Sequence, residues 1–398
     1  MEYRLLSTAC EYGKDRISAD EVNENNYIST ENMLPNRGGI EIASSVAEGK
    51  TFPAYKEGNI LLSNIRPYFK KIWFADKKGG CSNDVLVLKT NKSVDKKFLY
   101  YVLSDNNFFN YSTVTSKGTK MPRGSKTAIM KYLVPDVDMP TQKRIADILS
   151  TYDDLIENNN RRIALLEKAA QELYKEWFVR FRFPGYKTAK FENGLPEGWE
   201  YIRFGKAIEI IDGDRGVNYP KQEEFYETGE CLFLNAGNVT KNGFDFSSCS
   251  YITKEKDQVL RKGKLQTGDV VLTTRGTVGN VAFLNETLTF APMRINSGMV
   301  ILRNLGIVSP EYIYTTLRHE GLQKAMMMYA SGSAQPQLPI KDMRRIKIIK
   351  PDDVTMEKFT EFVSLIYKQV SSLIMKNQTI SKQRDLLLPR LMSGKLEV

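Results

Sequence analysis

Two rhythms of apolar residues run through this chain. From Thr141 to Trp177, without a Pro or Gly, apolar positions recur every three or four residues. Ile145, Tyr152, Asn159, Leu166 and Leu173 share one heptad position; Leu149, Ile156, Ile163, Ala170 and Trp177 share its partner. Nine of these ten are apolar or aromatic, a narrow seam of the kind that pairs one helix with another. The spacing predicts a helix roughly 55 Å long at about 1.5 Å per residue. The seam recurs at a constant offset of 214 residues in Thr355–Leu391. There Phe359, Ile366, Leu373, Ile380 and Leu387 answer the first set, and Val363, Val370, Asn377, Arg384 and Leu391 the second. Two long helices packed antiparallel are expected, with Asn159 and Asn377 as polar seam positions that set register rather than add stability.

The second rhythm is shorter. Gly58–Ser63, Lys71–Phe74, Asp84–Lys89 and Tyr132–Pro135 read as strands, and Phe98–Asn110 has helical spacing. Residues 199–354 repeat this set. Gly268–Thr273 answers Gly58–Ser63, Asn296–Leu302 answers Cys81–Val87, Tyr312–Leu317 answers Phe98–Leu103, and Gly332–Gln337 answers Gly118–Arg123. Framework positions match across the halves and loop residues mostly do not. The expected fold is α+β: a globular region at 1–140, a helix at 141–180, a connector at 181–198, a second region at 199–354, and a helix with its tail at 355–398. The aromatics Phe178, Phe181, Phe183 and Phe191 in and beside the connector argue that it packs rather than dangles. An internal repeat of this kind, one scaffold with two loop sets, suggests two related binding tasks.

Charge narrows the partner. At 398 residues the net charge is +10, which favours an acidic partner, nucleic acid first. No apolar run approaches membrane-span length and no signal-peptide pattern opens the chain, so no membrane role and a cytoplasmic setting are expected. Cys10, Cys81, Cys231 and Cys249 are scattered, with no CxxC pair, and read as reduced thiols.

Catalytic chemistry is sought and not found. His319 is the sole histidine, which removes His-based metal sites and Ser-His or Cys-His pairs within one chain. Gly118–Thr127 superficially resembles a phosphate loop but has the wrong spacing, and Pro122 removes a backbone donor. No GxGxxG motif and no Asn/Asp-Pro-Pro-aromatic motif occurs. No catalytic residue, metal or cofactor is expected. What remains is a set of basic and polar loops suited to phosphates and base edges. Lys117, Lys120, Arg123, Lys126 and Lys131 fall in a stretch without an acid, and Asn64, Arg66, Lys70 and Lys71 follow an apolar run. The second half offers Thr274, Arg275, Ser331, Ser333, Gln335, Gln337, Lys341, Arg344 and Arg345. These loops are the candidate contacts to double-stranded DNA; a coiled-coil scaffold without a DNA role is the alternative.

Several stretches carry a family resemblance: Pro140–Ala146, Asp153–Ile156, Leu165–Glu167, Glu172–Phe178, Gly194–Trp199 and Leu387–Leu396. In combination they resemble the specificity (S) subunits of type I restriction-modification systems, over essentially the whole chain. The resemblance implies two target recognition domains, each reading half of a split, asymmetric DNA target. It implies that the helices form a spacer whose length sets the gap between half-sites. It also implies two methyltransferase (M) subunits docked on the spacer and restriction (R) subunits that can join, with all chemistry in those partners. One departure is that Pro140-Thr141-Gln142 has no close match at Val354-Thr355-Met356.

Overall fold

A computed structural model describes residues 2–288, 291–330 and 337–396. It divides into two compact units, residues 1–155 with 380–398 and residues 156–379. Each contains a four-stranded antiparallel sheet. In the first unit the strand order is Cys10–Tyr12, Val85–Thr90, Ile60–Ser63, Ile72–Phe74; in the second it is Ile208–Asp212, Met299–Asn304, Val270–Thr273, Val281–Phe283.

These sheets are buried on both faces, which is why their sequences read as unbroken apolar runs rather than alternation. Successive side chains still point to opposite sides. Ile60, Leu62, Ile72, Leu86 and Leu88 enter one core with helix Lys96–Ser104, while Leu61, Trp73, Val85 and Val87 enter another. In the second unit Val270, Leu272, Val300 and Leu302 share a core with helix Pro310–Arg318, and Val271, Met299 and Ile301 face away into another.

The pairing register corrects one sequence equivalence. Ile60 lies opposite Leu88 and Val270 opposite Leu302, so Leu302 answers Leu88 and not Val87. A one-residue slip would move every side chain to the other face. Nor is Phe98–Asn110 one helix. It breaks at Asp105, which ends Lys96–Ser104 and caps Asn106–Val114 by accepting from Asn107 N at 2.7 Å. Each unit also has a small second sheet that the pattern did not predict: Arg16–Ser18, Thr51–Tyr55, Gly79–Cys81 and Tyr27–Ile28 in the first, and Tyr251–Ile252, Cys231–Leu234 and Met293–Ile295 in the second. Gly79 is required there, because a Cβ would lie 2.1 Å from the Asn26 carbonyl.

The first long helix spans Met139–Tyr174 and runs on through a π-helical turn, Lys175–Val179; the second spans Asp353–Met392. Trp177 and Phe178 lie in this turn and both are buried. The helices run antiparallel within each unit. In the second unit Trp177 packs on Phe359, Ile163 on Val370 and Leu373, and Asn159 Nδ2 donates to Asn377 Oδ1 at 2.8 Å. In the first, Ile145 and Leu149 share a core with Leu388 and Leu391, and Arg384 pairs with Asp153. In the second unit Leu166 and Ile366 are half-buried against these cores, as is Leu387 in the first; Ile156 and Ile380 are half-buried.

The mismatched helix starts differ in side chains and not in caps. Thr141 N donates to Asp138 Oδ1 at 3.0 Å, and Thr355 N to Asp352 Oδ1 at 2.9 Å. Gln142 is buried, donates to the Val137 carbonyl and accepts from Asp95 N, the cap of helix Lys96–Ser104. At the matching point in the second unit, Met356 Sδ takes the hydroxyl of Ser309, the cap of helix Pro310–Arg318. The connector folds into the second unit: Phe183 stacks near Trp199 at 4.9 Å between centroids, and Phe191–Glu192 pairs with Leu195–Pro196.

Candidate nucleic-acid interface

In each unit a hairpin tip and a second loop are tied into one ledge by backbone hydrogen bonds. In the first unit the tip is residues 64–71, between strands Ile60–Ser63 and Ile72–Phe74. Arg66 N donates to the Pro122 carbonyl at 2.7 Å, and Gly124 N to the Asn64 carbonyl at 2.9 Å. Lys117 and Arg123 exchange two backbone bonds of 2.9 Å, which closes the basic loop on itself. In the second unit Leu338 N donates to the Thr274 carbonyl at 3.0 Å, and Arg275 bridges Gln337. Ile65 bridges Arg123 in the same way.

The ledge sorts the candidate residues. Lys117, Lys120 and Arg123 are exposed on the loop of the first ledge, and Arg275 and Gln337 on the second; Lys126 is exposed at the start of helix Lys126–Ile129, and Arg344 is exposed beside Gly205, whose N donates to its carbonyl. Arg123 already has a carboxylate partner, with Asp84 at 3.2 Å. Arg66 is half-buried against the Phe69 ring, and Lys70 Nζ donates to Asn106 Oδ1 at 2.8 Å. Two candidates are not presented to a ligand. Asn64 is buried beneath the ledge beside Gly124, and Thr274 is buried with its hydroxyl donating to the Gly298 carbonyl at 3.1 Å. Both belong to the tip by sequence, but the backbone bonds that fasten the tip to the neighbouring loop draw them under it. Ser331, Ser333 and Gln335 lie outside the described residues.

The structure adds two residues at the tip that the sequence reading passed over. Tyr68 and Phe69 are exposed, with ring centroids 4.7 Å apart. The signal available was the run Ile65-Arg66-Pro67-Tyr68-Phe69-Lys70-Lys71, in which a Pro opens a turn whose next two residues are aromatic.

Where the units meet the long helices, each has its own polar cluster. In the second unit Glu167 is buried; its Oε1 accepts from the Tyr314 hydroxyl at 2.9 Å, and Arg318 Nε lies 3.5 Å from Oε2. Burial holds the Glu167 carboxyl above its ordinary range, outweighing the Arg318 and Tyr314 contacts that pull the other way. In the first unit Arg384 is held by Asp153 and Asp385, and Tyr101 donates to Asp153 at 2.6 Å. Burial works against the Arg384 charge, and the two carboxylates override it. Burial also pushes the Cys10, Cys81 and Cys231 thiols up to about 12, far from the range of a nucleophile. His319 caps helix Glu320–Tyr329 through Nδ1. Among the described residues no cluster of His, Cys, Asp and Glu could hold a metal ion, and no helix is long and apolar enough to cross a membrane.

Comparison with known proteins agrees with the repeat. The family model described as type I restriction modification DNA specificity domain matches twice, at residues 9–168 and 196–381. The chain is 25% identical over 368 residues to the type I restriction enzyme MjaIX specificity subunit of Methanocaldococcus jannaschii, covering 91% of this chain and 83% of that one. It is 24% identical over 438 residues to the HindI specificity subunit of Haemophilus influenzae, covering 93% and 94%. The fold is similar to the crystal structure of the type I restriction-modification S subunit from M. genitalium, with a TM-score of 0.52 at 16% identity, across 98% of this chain and 96% of that one.

Proposed function

Because the chain belongs to the type I restriction-modification DNA specificity family, we propose that its two ledges each read one half of a split DNA target. The chain is a non-catalytic specificity subunit: it binds DNA and works with modification and restriction subunits, which carry methyl transfer and cleavage. The observation behind the division of labour is the duplicated ledge. The bond from Gly124 N to the Asn64 carbonyl recurs as Leu338 N to the Thr274 carbonyl, while the exposed side chains around it change from Lys117, Lys120 and Arg123 to Arg275 and Gln337. Among the described residues, two equivalent backbone links recur while the side chains at them change: Ile65 and Arg123 in the first unit, Arg275 and Gln337 in the second. Lysine and arginine around the first ledge suit phosphates and guanine edges; Gln337 beside Arg275 suits an adenine edge next to a guanine or a phosphate.

The finer assignments follow from this reading. Residues 1–140 and 199–354 are the two recognition domains, and the long helices are the spacer on which two M subunits dock. A paired helix is a stiff element where a Gly/Ser linker would not be, so half-site spacing becomes a property of the protein. The protein acts in the cytoplasm, where its DNA is.

Single-molecule sequencing of methylated bases tests the reading, in cells that carry the chain with its M subunit and in cells that lack the chain. A split, asymmetric methylated motif that disappears with the chain is the expected result. Should purified chain bind M yet direct no motif, and show no salt-sensitive DNA binding, the reading fails.

A further inference from the structure

We propose that Tyr68 and Phe69 form a rigid aromatic wedge that packs into one base step of the half-site read by the first unit. The proposal rests on the reading that this unit contacts DNA, and it adds a residue-level mode of contact: local unstacking by an aromatic tip, alongside hydrogen bonds from the rim.

Two adjacent aromatic rings, 47% and 38% exposed, stand at the end of the hairpin. Folding alone gives no reason to leave them there, since within the turn Pro67–Phe69 it is Pro67 that is buried. The backbone beneath them is fixed from three sides. Phe69 N donates to the Arg66 carbonyl and Lys70 N to the Pro67 carbonyl, each at 2.9 Å, which closes the turn. Asn36 N donates to the Phe69 carbonyl at 2.8 Å and Arg37 N to the Lys70 carbonyl at 2.9 Å, which clamps it from one neighbouring loop. Arg66 N reaches Pro122 of the other loop at 2.7 Å. Arg37 is itself anchored, donating from Nη1 to the Ser104 carbonyl at 3.0 Å. The turn is also strained: Arg66 and Lys70 adopt left-handed φ values of 49° and 53°, where a side chain meets its own backbone. A strained conformation persists because its surroundings over-determine it, and such positions gather at functional sites.

Rigidity suits a wedge. A ring that parts stacked bases loses its effect if its backbone can fold away, and inserted apolar or aromatic side chains are a recurrent way to kink a duplex. Charge selects DNA over a protein partner. Arg66 and Lys71 lie 6.0 and 5.9 Å from the centre of the Phe69 ring, Lys70 follows it in the turn, and Lys117 and Arg123 stand on the loop bonded to it. An aromatic tip ringed by cations matches a base stack flanked by phosphates. The second unit carries Gly276-Thr277-Val278-Gly279 at its tip, with no ring to insert. Distortion is therefore expected in one half-site only.

The test uses the full chain assembled with its M subunit on a duplex carrying its methylated motif, with 2-aminopurine placed in turn at the adenines of each half-site. Wild type should raise the fluorescence at one step in one half-site. Y68A/F69A should abolish that rise and weaken cognate binding by about tenfold or more, the order seen when stacking aromatics are removed. Y68L/F69L retains bulk without the aromatic face and should recover only part of both effects. Y68A/F69A with unchanged affinity and unchanged fluorescence overturns the wedge. So does a variant that binds DNA normally but no longer assembles with M, because the rings would then be a protein contact. If wild type itself binds no split motif, the underlying reading fails with it, and that result is distinct from a wild type that binds and a variant that binds equally well.

Discussion

In the first unit the chain enters its hairpin tip through Arg66 and leaves it through Lys70, both left-handed. In the second it enters through Gly276 at φ 72° and leaves through Gly279 at φ 98°. The two tips join equivalent strands and turn at equivalent points, so the left-handed requirement belongs to the scaffold. Glycine meets it without steric cost; arginine and lysine meet it at roughly 1–2 kcal/mol each. The first unit tolerates that cost where its side chains would face DNA. The polar clusters on the long helices differ as well. One is built on a buried carboxylate, Glu167, and the other on an arginine, Arg384, held by two carboxylates. The two clusters sit at different positions of the repeat: at the same offset Arg384 answers Ala170 and Asp153 answers Tyr367.

The clusters give the largest expected difference. Glu167→Ala leaves the buried Arg318 without its carboxylate, with only the Tyr314 hydroxyl at 3.0 Å as a side-chain partner, and should cost about 3 kcal/mol. Asp153→Ala leaves Arg384 with Asp385 still bonded and only half-buried, and should cost less, about 2 kcal/mol. Urea denaturation followed by amide exchange in each unit would rank them, and the opposite order would break the comparison. At the tips, Gly276→Arg should lower the stability of the second unit by about 1–2 kcal/mol. Arg66→Gly should leave the first unit within about 1 kcal/mol of wild type while weakening its DNA binding. A stable Gly276→Arg chain would show that the turn does not demand glycine.

Acid should separate the clusters further. The Glu167 pKa is raised on folding, so its contribution to stability is complete below its unfolded value near 4.5 and is lost as pH rises through the folded value. Glutamine at 167 cannot titrate. The melting temperature of wild type should therefore gain on that of Glu167→Gln as pH falls from 8 to 5, and parallel curves would deny the shift. The seam offers a smaller effect. Asn159 donates to Asn377, and Asn377 donates in turn to Asn160 at 2.8 Å. Asn159→Leu should loosen the register of the pair, read as faster amide exchange along Ile156–Ile163; an unchanged, monodisperse pairing would assign the amides no such role. The smallest effect is one of slope. Lys117→Ala should weaken binding to all sequences alike and reduce the salt dependence of DNA affinity by about one counterion.

Much of this was readable in advance because it is periodic. The helix pair, the double-faced sheets and the repeat all follow from apolar spacing, which local geometry translates directly into faces. The small second sheets escaped because their strands are two to five residues long and interrupted by glycines such as Gly79 and Gly80, so no period could build up. The loop residues were legible as a chemical class and not one by one. Asn64 and Lys117 both lie in polar loops, yet one is buried and the other exposed. Nothing in the local sequence predicts that Gly124 N will bond the Asn64 carbonyl from sixty residues away.

A twice-repeated α+β chain with a helical seam and basic loops was legible from the order of residues alone. Those properties depend on spacing and on which side chains exist. Which loop residues meet solvent, the inward turn of Thr274, and the exposure of Tyr68 and Phe69 on a strained turn were set by long-range packing. Those outcomes depend on backbone hydrogen bonds between segments about sixty residues apart in the chain, such as Gly124 N to the Asn64 carbonyl and Leu338 N to the Thr274 carbonyl, which no local spacing encodes.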